Sequence, residues 1–273
     1  MPELPEVETV LRSLRKSEII GFPISRIEIK KSSHVKGINI DDFVNKLTGQ
    51  TIDKIERKGK WLFFFLDNLV LLSHLRMTGK YFFEENSHDP SLIFTFANKK
   101  RLFYCDPRGF GVFYLQTTDD FYSSLPYRGI GPDLIQEEIT VEYLTSCFQS
   151  LRIPIKAALL EQKIVSGIGN IYASEILFFS KISPLKPTNK ISQKEVEKII
   201  KFSKIILQKA IDMRGTSVVD FVSPLGKGSY QNELKVYMRE NKPCFECQIP
   251  IIMEKINNRS GFFCPRCQRL ELE

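Results

Sequence analysis

Four cysteines near the C-terminal end constrain the fold of this chain more than any other feature. Cys244-x2-Cys247 is followed by sixteen residues and then Cys264-x2-Cys267. Two such knuckles at this separation match a four-thiolate zinc site on a β-hairpin ribbon, holding one structural ion. Disulfides are the alternative, in a compartment oxidising enough for them to persist. The first residues are too acidic and polar for a signal peptide, and no apolar run approaches the ~18 residues of a membrane span. The expectation is therefore a reducing cytosol or nucleoid, no membrane, and zinc. Cys105 and Cys147 lie among apolar neighbours and read as buried, inert thiols.

Upstream of the ribbon the text changes character twice. Val7, Val10, Leu11 and Leu14 recur at helical spacing. From Ile24 to about Gln116 there follow eight short β-type runs, ISRIEIK, TIDKIER, WLFFFL, LVLLSHL, KYFFEE, LIFTFA, RLFYC and GVFYL, separated by turn residues. So many closely spaced strands predict a sandwich or flattened barrel. DDFVNKL after Asn39 reads as one short inserted helix capped by Asp41. Residues 125–133, LPYRGIGPD, read as a linker, and Val141–Ser180 and Gln193–Met213 carry helical periodicity. The predicted class is α+β and multidomain: an N-terminal β-sandwich with flanking helices over 1–125, a linker over 126–133, a helical domain over 134–235, and the ribbon over 236–273. A formal charge of +7 adds an expectation about partners, because a basic chain suits a polyanion and nucleic acid is the commonest one.

Several short stretches could carry chemistry. The opening MPELPEVETV puts Pro2 and Pro5 beside three glutamates. These prolines suit the first turn of a helix, and acidic residues suit its positive end. Alternatively, removal of Met1 leaves Pro2 as a free secondary amine, a nucleophile with Glu3 beside it to handle protons. KGKWLFF sets Lys58 and Lys60 before an apolar strand, and SHLRMTGK places His74, Arg76 and Met77 at a strand end. CDPRGFGVF carries Phe110 between two glycines and close to Arg108, either a core aromatic or a wedge for a base stack. In VSGIGNIYASE, Asn170 could cap a helix whose N–H groups grip a phosphate. SPLGKGSYQ reads as a glycine-rich loop that covers a pocket or merely joins elements.

Taken together, MPELPEVETV, KGKW, HLRMTGK, DPRGFG, GIGNIYASE, SYQNELKVY and the ribbon ending NRSGFFCPRCQ resemble the bacterial formamidopyrimidine-DNA glycosylases from residue 2 to about residue 268. The resemblance implies a bifunctional enzyme of base excision repair that excises oxidised purines such as 8-oxoguanine and formamidopyrimidines, then cleaves the strand by β,δ-elimination. It implies a helix-two-turn-helix in the helical domain and Pro2 as the nucleophile. Glu3 matches the family's acid and Glu6 a residue that positions it. Lys60 matches the essential lysine, and Arg259 the ribbon arginine that grips phosphates flanking the lesion and assists the last elimination. His74, His88, Arg108, Arg152, Asn170 and Tyr237 match phosphate-contacting positions, and Lys156 a lysine near the lesion pocket. Met77, Arg108 and Phe110 match the residues that fill the space of an everted base, and residues 216–231 the loop that closes over it. The partner implied is double-stranded DNA carrying oxidised purines or abasic sites, bound by a monomer in the bacterial cytoplasm at the nucleoid.

The chain departs from the family pattern at four places. Gly109 stands where Arg or Lys is usual, Met238 replaces a glycine, Arg214-Gly215 stands for Gly-Gly, and Asn258 replaces a glycine before Arg259. Two rival readings are the endonuclease VIII type, specific for oxidised pyrimidines, and a non-catalytic zinc-ribbon DNA-binding protein. Leu4 and the intact 216–231 loop favour the purine enzyme over the first. Pro2, Glu3, Lys60 and Arg259 occurring together favour catalysis over the second.

Overall fold

The computed structural model describes residues 1–84, 89–217 and 226–270. The chain forms two compact units, Met1–Arg128 with Met213–Ser229, and Gly129–Asp212 with Tyr230–Glu273.

The first unit opens with α1 (Leu4–Lys16), followed by β1 (Ile24–Ile29) and α2 (Ile40–Leu47). Then come β2 (Ile52–Lys58), β3 (Trp61–Leu66), β4 (Leu69–His74), β5 (Lys80–Phe82), β6 (Leu92–Phe96), β7 (Arg101–Cys105), β8 (Val112–Thr117) and the single turn α3 (Thr118–Phe121). All eight expected strands are present. They form two antiparallel four-stranded sheets, ordered β1-β6-β7-β5 and β2-β3-β4-β8. One core lies between them, built from Ile24, Phe94 and Tyr104 of the first sheet, Leu62, Phe64 and Leu71 of the second, and Val7, Leu11 and Leu14 of α1. The unbroken apolar run of β3 follows from burial on both faces. Leu62, Phe64 and Leu66 enter this core, while Phe63 and Phe65 meet the Phe121 ring edge-on at 5.0 and 5.3 Å.

The cap of α2 differs from expectation. The helix starts one residue earlier, and Asn39 rather than Asp41 caps it, its side chain accepting the Asp42 N–H at 2.8 Å. Asp41 and Asp42 instead occupy the first turn, where carboxylates complement the helix dipole.

The second unit contains α4 (Val141–Gln149), α5 (Ile155–Leu160), α6 (Asn170–Ser180), α7 (Gln193–Asp212) and the hairpin β9 (Ile252–Ile256)–β10 (Arg259–Phe263). Gln162 organises the two turns between α5 and α6. Its Oε1 accepts the Gly167 N–H at 3.0 Å, and its Nε2 donates to the carbonyls of Leu160 and Ile168 at 2.9 Å each. α6 is buried almost all round, packing on α5, α7 and β10. Its N-cap is Gly169. Asn170 is the first helical residue and turns its side chain to Lys156 rather than capping. The ribbon is a hairpin with a two-residue loop, Asn257-Asn258, both at positive φ (44° and 61°), the geometry that matches strand twist.

Candidate active site and nucleic-acid interface

In the first unit the N-terminal end of α1 is buried. Pro2 and Glu3 are covered, Glu3 is the N-cap, and Met1 is exposed. Glu6 reaches back over this end. Its Oε2 accepts the Glu3 N–H at 2.8 Å, closing one arm of a capping box, and its Oε1 accepts the N–H of Thr216 at 2.7 Å. Gly215, at φ +77°, makes that approach possible, since a Cβ there would stand 2.6 Å from Glu6 Oε1. One carboxyl group thus holds both the start of α1 and the returning 213–217 segment.

α1 is pinned to β2 at two points. Arg15 donates to the Ile55 carbonyl at 2.8 Å, and Arg57 bonds Glu8 at 2.9 Å. Arg57 also donates to the Gly59 carbonyl at 2.9 Å, so the β2–β3 turn that carries Lys60 is tied to α1. Lys60 is 6% exposed. His74, at the end of β4, lies edge-on to Trp61 with centroids 4.8 Å apart, and its Nδ1 accepts the Arg76 N–H at 2.9 Å. Burial, reinforced by the charges of Arg76 and Lys60, depresses its pKa to about 3. The imidazole is therefore neutral with its proton on Nε2, a fixed uncharged donor.

Met77 is half-buried, whereas Arg108 and Phe110 are exposed, with the guanidinium 4.9 Å from the ring centroid. Gly109, between them, has φ +71°. His88 lies outside the described residues, as do residues 218–225 of the expected covering loop.

The second unit gathers another set. Lys156 is almost fully buried on α5, and its Nζ donates to Asn170 Oδ1 and, at 3.0 Å, to the carbonyl of Ser260. Ser260 follows Arg259, the exposed first residue of β10. Lys156 therefore joins the start of α6 to the ribbon tip. Arg152 is exposed ahead of α5. Glu175 fills a role not read from the sequence: its carboxyl accepts the N–H groups of Lys235, Val236 and Tyr237 at 2.8, 3.0 and 2.9 Å. Burial pushes its pKa up against the pull of those donors. A lone glutamate inside the apolar run of α6 was the available signal, since a buried acid must find donors.

The Sγ atoms of Cys244, Cys247, Cys264 and Cys267 all lie within 4.8 Å of one another. Cys244 stands 3.9 Å from Cys267 and Cys247 3.4 Å from Cys264. A tetrahedral metal with M–S bonds of about 2.3 Å needs sulfurs about 3.8 Å apart, so the four can hold a metal ion. No helix among the described residues is long and apolar enough to cross a membrane.

Residues 1–113 match the formamidopyrimidine-DNA glycosylase N-terminal domain, and residues 130–222 the formamidopyrimidine-DNA glycosylase H2TH domain. The chain is 37% identical over 274 residues to the formamidopyrimidine-DNA glycosylase of Listeria monocytogenes, covering 98% of this chain and 100% of that one. Its identity to the Cytobacillus firmus protein of the same name is 38% over 274 residues, with 98% and 100% covered. A Lactococcus lactis FPG mutant in complex with a Fapy-dG containing DNA matches with a TM-score of 0.92 at 37% identity, covering 98% of this chain and 100% of that one. Lactococcus lactis Fpg in complex with an abasic site containing DNA matches with a TM-score of 0.91 at 36% identity, covering 98% and 99%. With this similarity running through sandwich, helices and ribbon alike, the chain belongs to the formamidopyrimidine-DNA glycosylase family, DNA glycosylases of base excision repair that act on damaged DNA.

Proposed function

We propose that this protein is a bifunctional glycosylase and abasic-site lyase for oxidised purines, 8-oxoguanine and formamidopyrimidines, in duplex DNA. The observation that carries the reading is the burial of Pro2 and Glu3 at the start of α1 while Met1 is exposed. With Met1 removed, Pro2 presents a secondary amine with an ordinary pKa near ~8. An appreciable fraction of that amine is therefore unprotonated at neutral pH. Its nitrogen attacks C1′ of the damaged nucleotide, and the N-glycosidic bond breaks as the base leaves. Glu3 protonates the sugar ring oxygen as the ring opens. The product is an iminium, cationic without further protonation because the amine is secondary. It withdraws electrons from C2′, which loses a proton as the C3′–O bond breaks and the 3′ phosphate departs. A second elimination releases the 5′ phosphate, and water then frees the amine.

Around this chemistry Lys60 binds phosphate and moves protons during elimination, and Arg259 holds phosphates beside the lesion. His74, His88, Arg108, Arg152, Asn170 and Tyr237 contact the backbone, and Lys156 lies near the lesion pocket. The base leaves the stack before Pro2 reaches C1′, and Met77, Arg108 and Phe110 fill its place. Zinc held by the four cysteines ties the two knuckles to the β9–β10 hairpin and takes no part in the chemistry. The complexes of similar proteins with Fapy-dG and abasic DNA support this substrate class. The protein acts as a monomer in the cytoplasm, at the nucleoid.

Borohydride trapping tests the reading, on a duplex with 8-oxoguanine opposite cytosine and on one with dihydrouracil. A covalent complex mainly on the first, mapped to Pro2, is expected. Trapping mainly on the second would assign the protein to oxidised pyrimidines. Duplex binding without trapping would remove the catalytic role.

A further inference from the structure

Two connections cross between the sheets of the sandwich side by side. Residues 75–79 lead from β4 to β5, and 106–111 lead from β7 to β8. Because β4 pairs with β8 and β5 with β7, His74 lies opposite Val112 and Lys80 opposite Cys105. Strand pairing alone sets the two loops next to each other. The first carries Met77; the second carries Arg108 and Phe110.

Asp106 joins them. Its side chain is fully buried, with Oδ1 accepting the Thr78 hydroxyl at 2.5 Å and Oδ2 the Gly111 N–H at 2.7 Å. One carboxyl group thus spans the 106–111 loop and grips the residue after Met77. His34 backs the same point, its Nδ1 donating to the Gly111 carbonyl at 2.8 Å. The packing beneath leaves no slack: a Cβ on Gly79 or Gly111 would stand 2.5 or 1.7 Å from the Tyr104 hydroxyl. A buried carboxyl group costs stability unless donors fill its lone pairs. Here the donors come from both exposed loops, so each loop is held in place by the other.

We propose that the Thr78–Asp106 hydrogen bond makes these loops one rigid wedge, and that both residues position Met77, Arg108 and Phe110 for eversion of the base. The inference rests on the reading of those three side chains as void-filling. Held together, they replace the departing base in a single step. Held separately, each must find its place while the stack is open.

The test compares two substrates of one sequence under single-turnover conditions, 8-oxoguanine opposite cytosine and a preformed abasic site. An abasic nucleotide has no base to unstack and asks little of the wedge. Thr78→Val keeps the shape but removes the donor, and Thr78→Ser restores a hydroxyl. Each variant is first checked for native circular dichroism. Excision of 8-oxoguanine by T78V is expected to slow about tenfold, as for loss of one hydrogen bond to a charged group. Cleavage at the abasic site should stay near the wild-type rate, and T78S should behave as wild type on both. Equal slowing on both substrates, or no slowing by T78V, would overturn the coupling and leave the catalytic reading intact. A wild-type protein that cleaves neither duplex would overturn both.

Discussion

His74 makes stability depend on pH in a direction and amount that follow from its surroundings. Folding depresses its pKa from 6.5 to about 3, chiefly through burial and then through Arg76 and Lys60. Below pH 6.5 the unfolded chain therefore binds a proton that the folded chain refuses. The contribution of this group is complete above pH 6.5 and is lost as pH falls toward about 3. By pH 5 the loss from this histidine alone is about 2 kcal/mol. His74→Asn supplies an acceptor for the Arg76 N–H without a group that titrates in this range. Urea unfolding of both proteins near pH 7.5 and near pH 5 isolates the effect, because every other titrating group is common to them. The wild type should lose about 2 kcal/mol more than the variant between the two conditions. Equal losses would show that His74 charges in the folded protein, and the neutral-donor assignment would fall.

Three further outcomes follow from the second unit. Glu175→Leu keeps the volume but strands three N–H groups, and should cost about 4 kcal/mol in chemical denaturation; a loss below about 1 kcal/mol would refute the clamp. Met238 is exposed with φ 55°, in the left-handed region that glycine enters without a Cβ penalty, so Met238→Gly should raise stability by roughly 0.5–1 kcal/mol. An unchanged or lowered midpoint in the same titration would refute that strain. On the proposed zinc site, treating the purified protein with a chelator should lower its melting temperature and weaken duplex binding measured by fluorescence anisotropy, because the hairpin then loses the link between its two knuckles. Unaltered binding after verified metal loss would separate the ribbon from DNA recognition.

Periodicity alone located all eight strands, because each stretch between turn residues is short and apolar on at least one face. Cysteine spacing alone located the four-cysteine cluster, because two CxxC knuckles on a hairpin bring four sulfurs together whatever the rest of the chain does. Local chemistry was less exact at helix starts. Asn39 and Gly169 cap α2 and α6 in place of the expected Asp41 and Asn170, shifts of two residues and of one, which residue type alone does not decide. The departures at Arg214, Met238 and Asn258 were legible as substitutions, but only the backbone shows that all three lie at positive φ (62°, 55° and 61°). Long-range partners were not legible at all. Glu6 with Thr216, Arg57 with Glu8, Thr78 with Asp106 and Lys156 with Ser260 are separated by 210, 49, 28 and 104 residues. Sequence patterns record what a residue needs, a buried face or a donor, over the span of one element. Which distant residue meets that need depends on how strands pair and loops cross, and only the folded chain decides it.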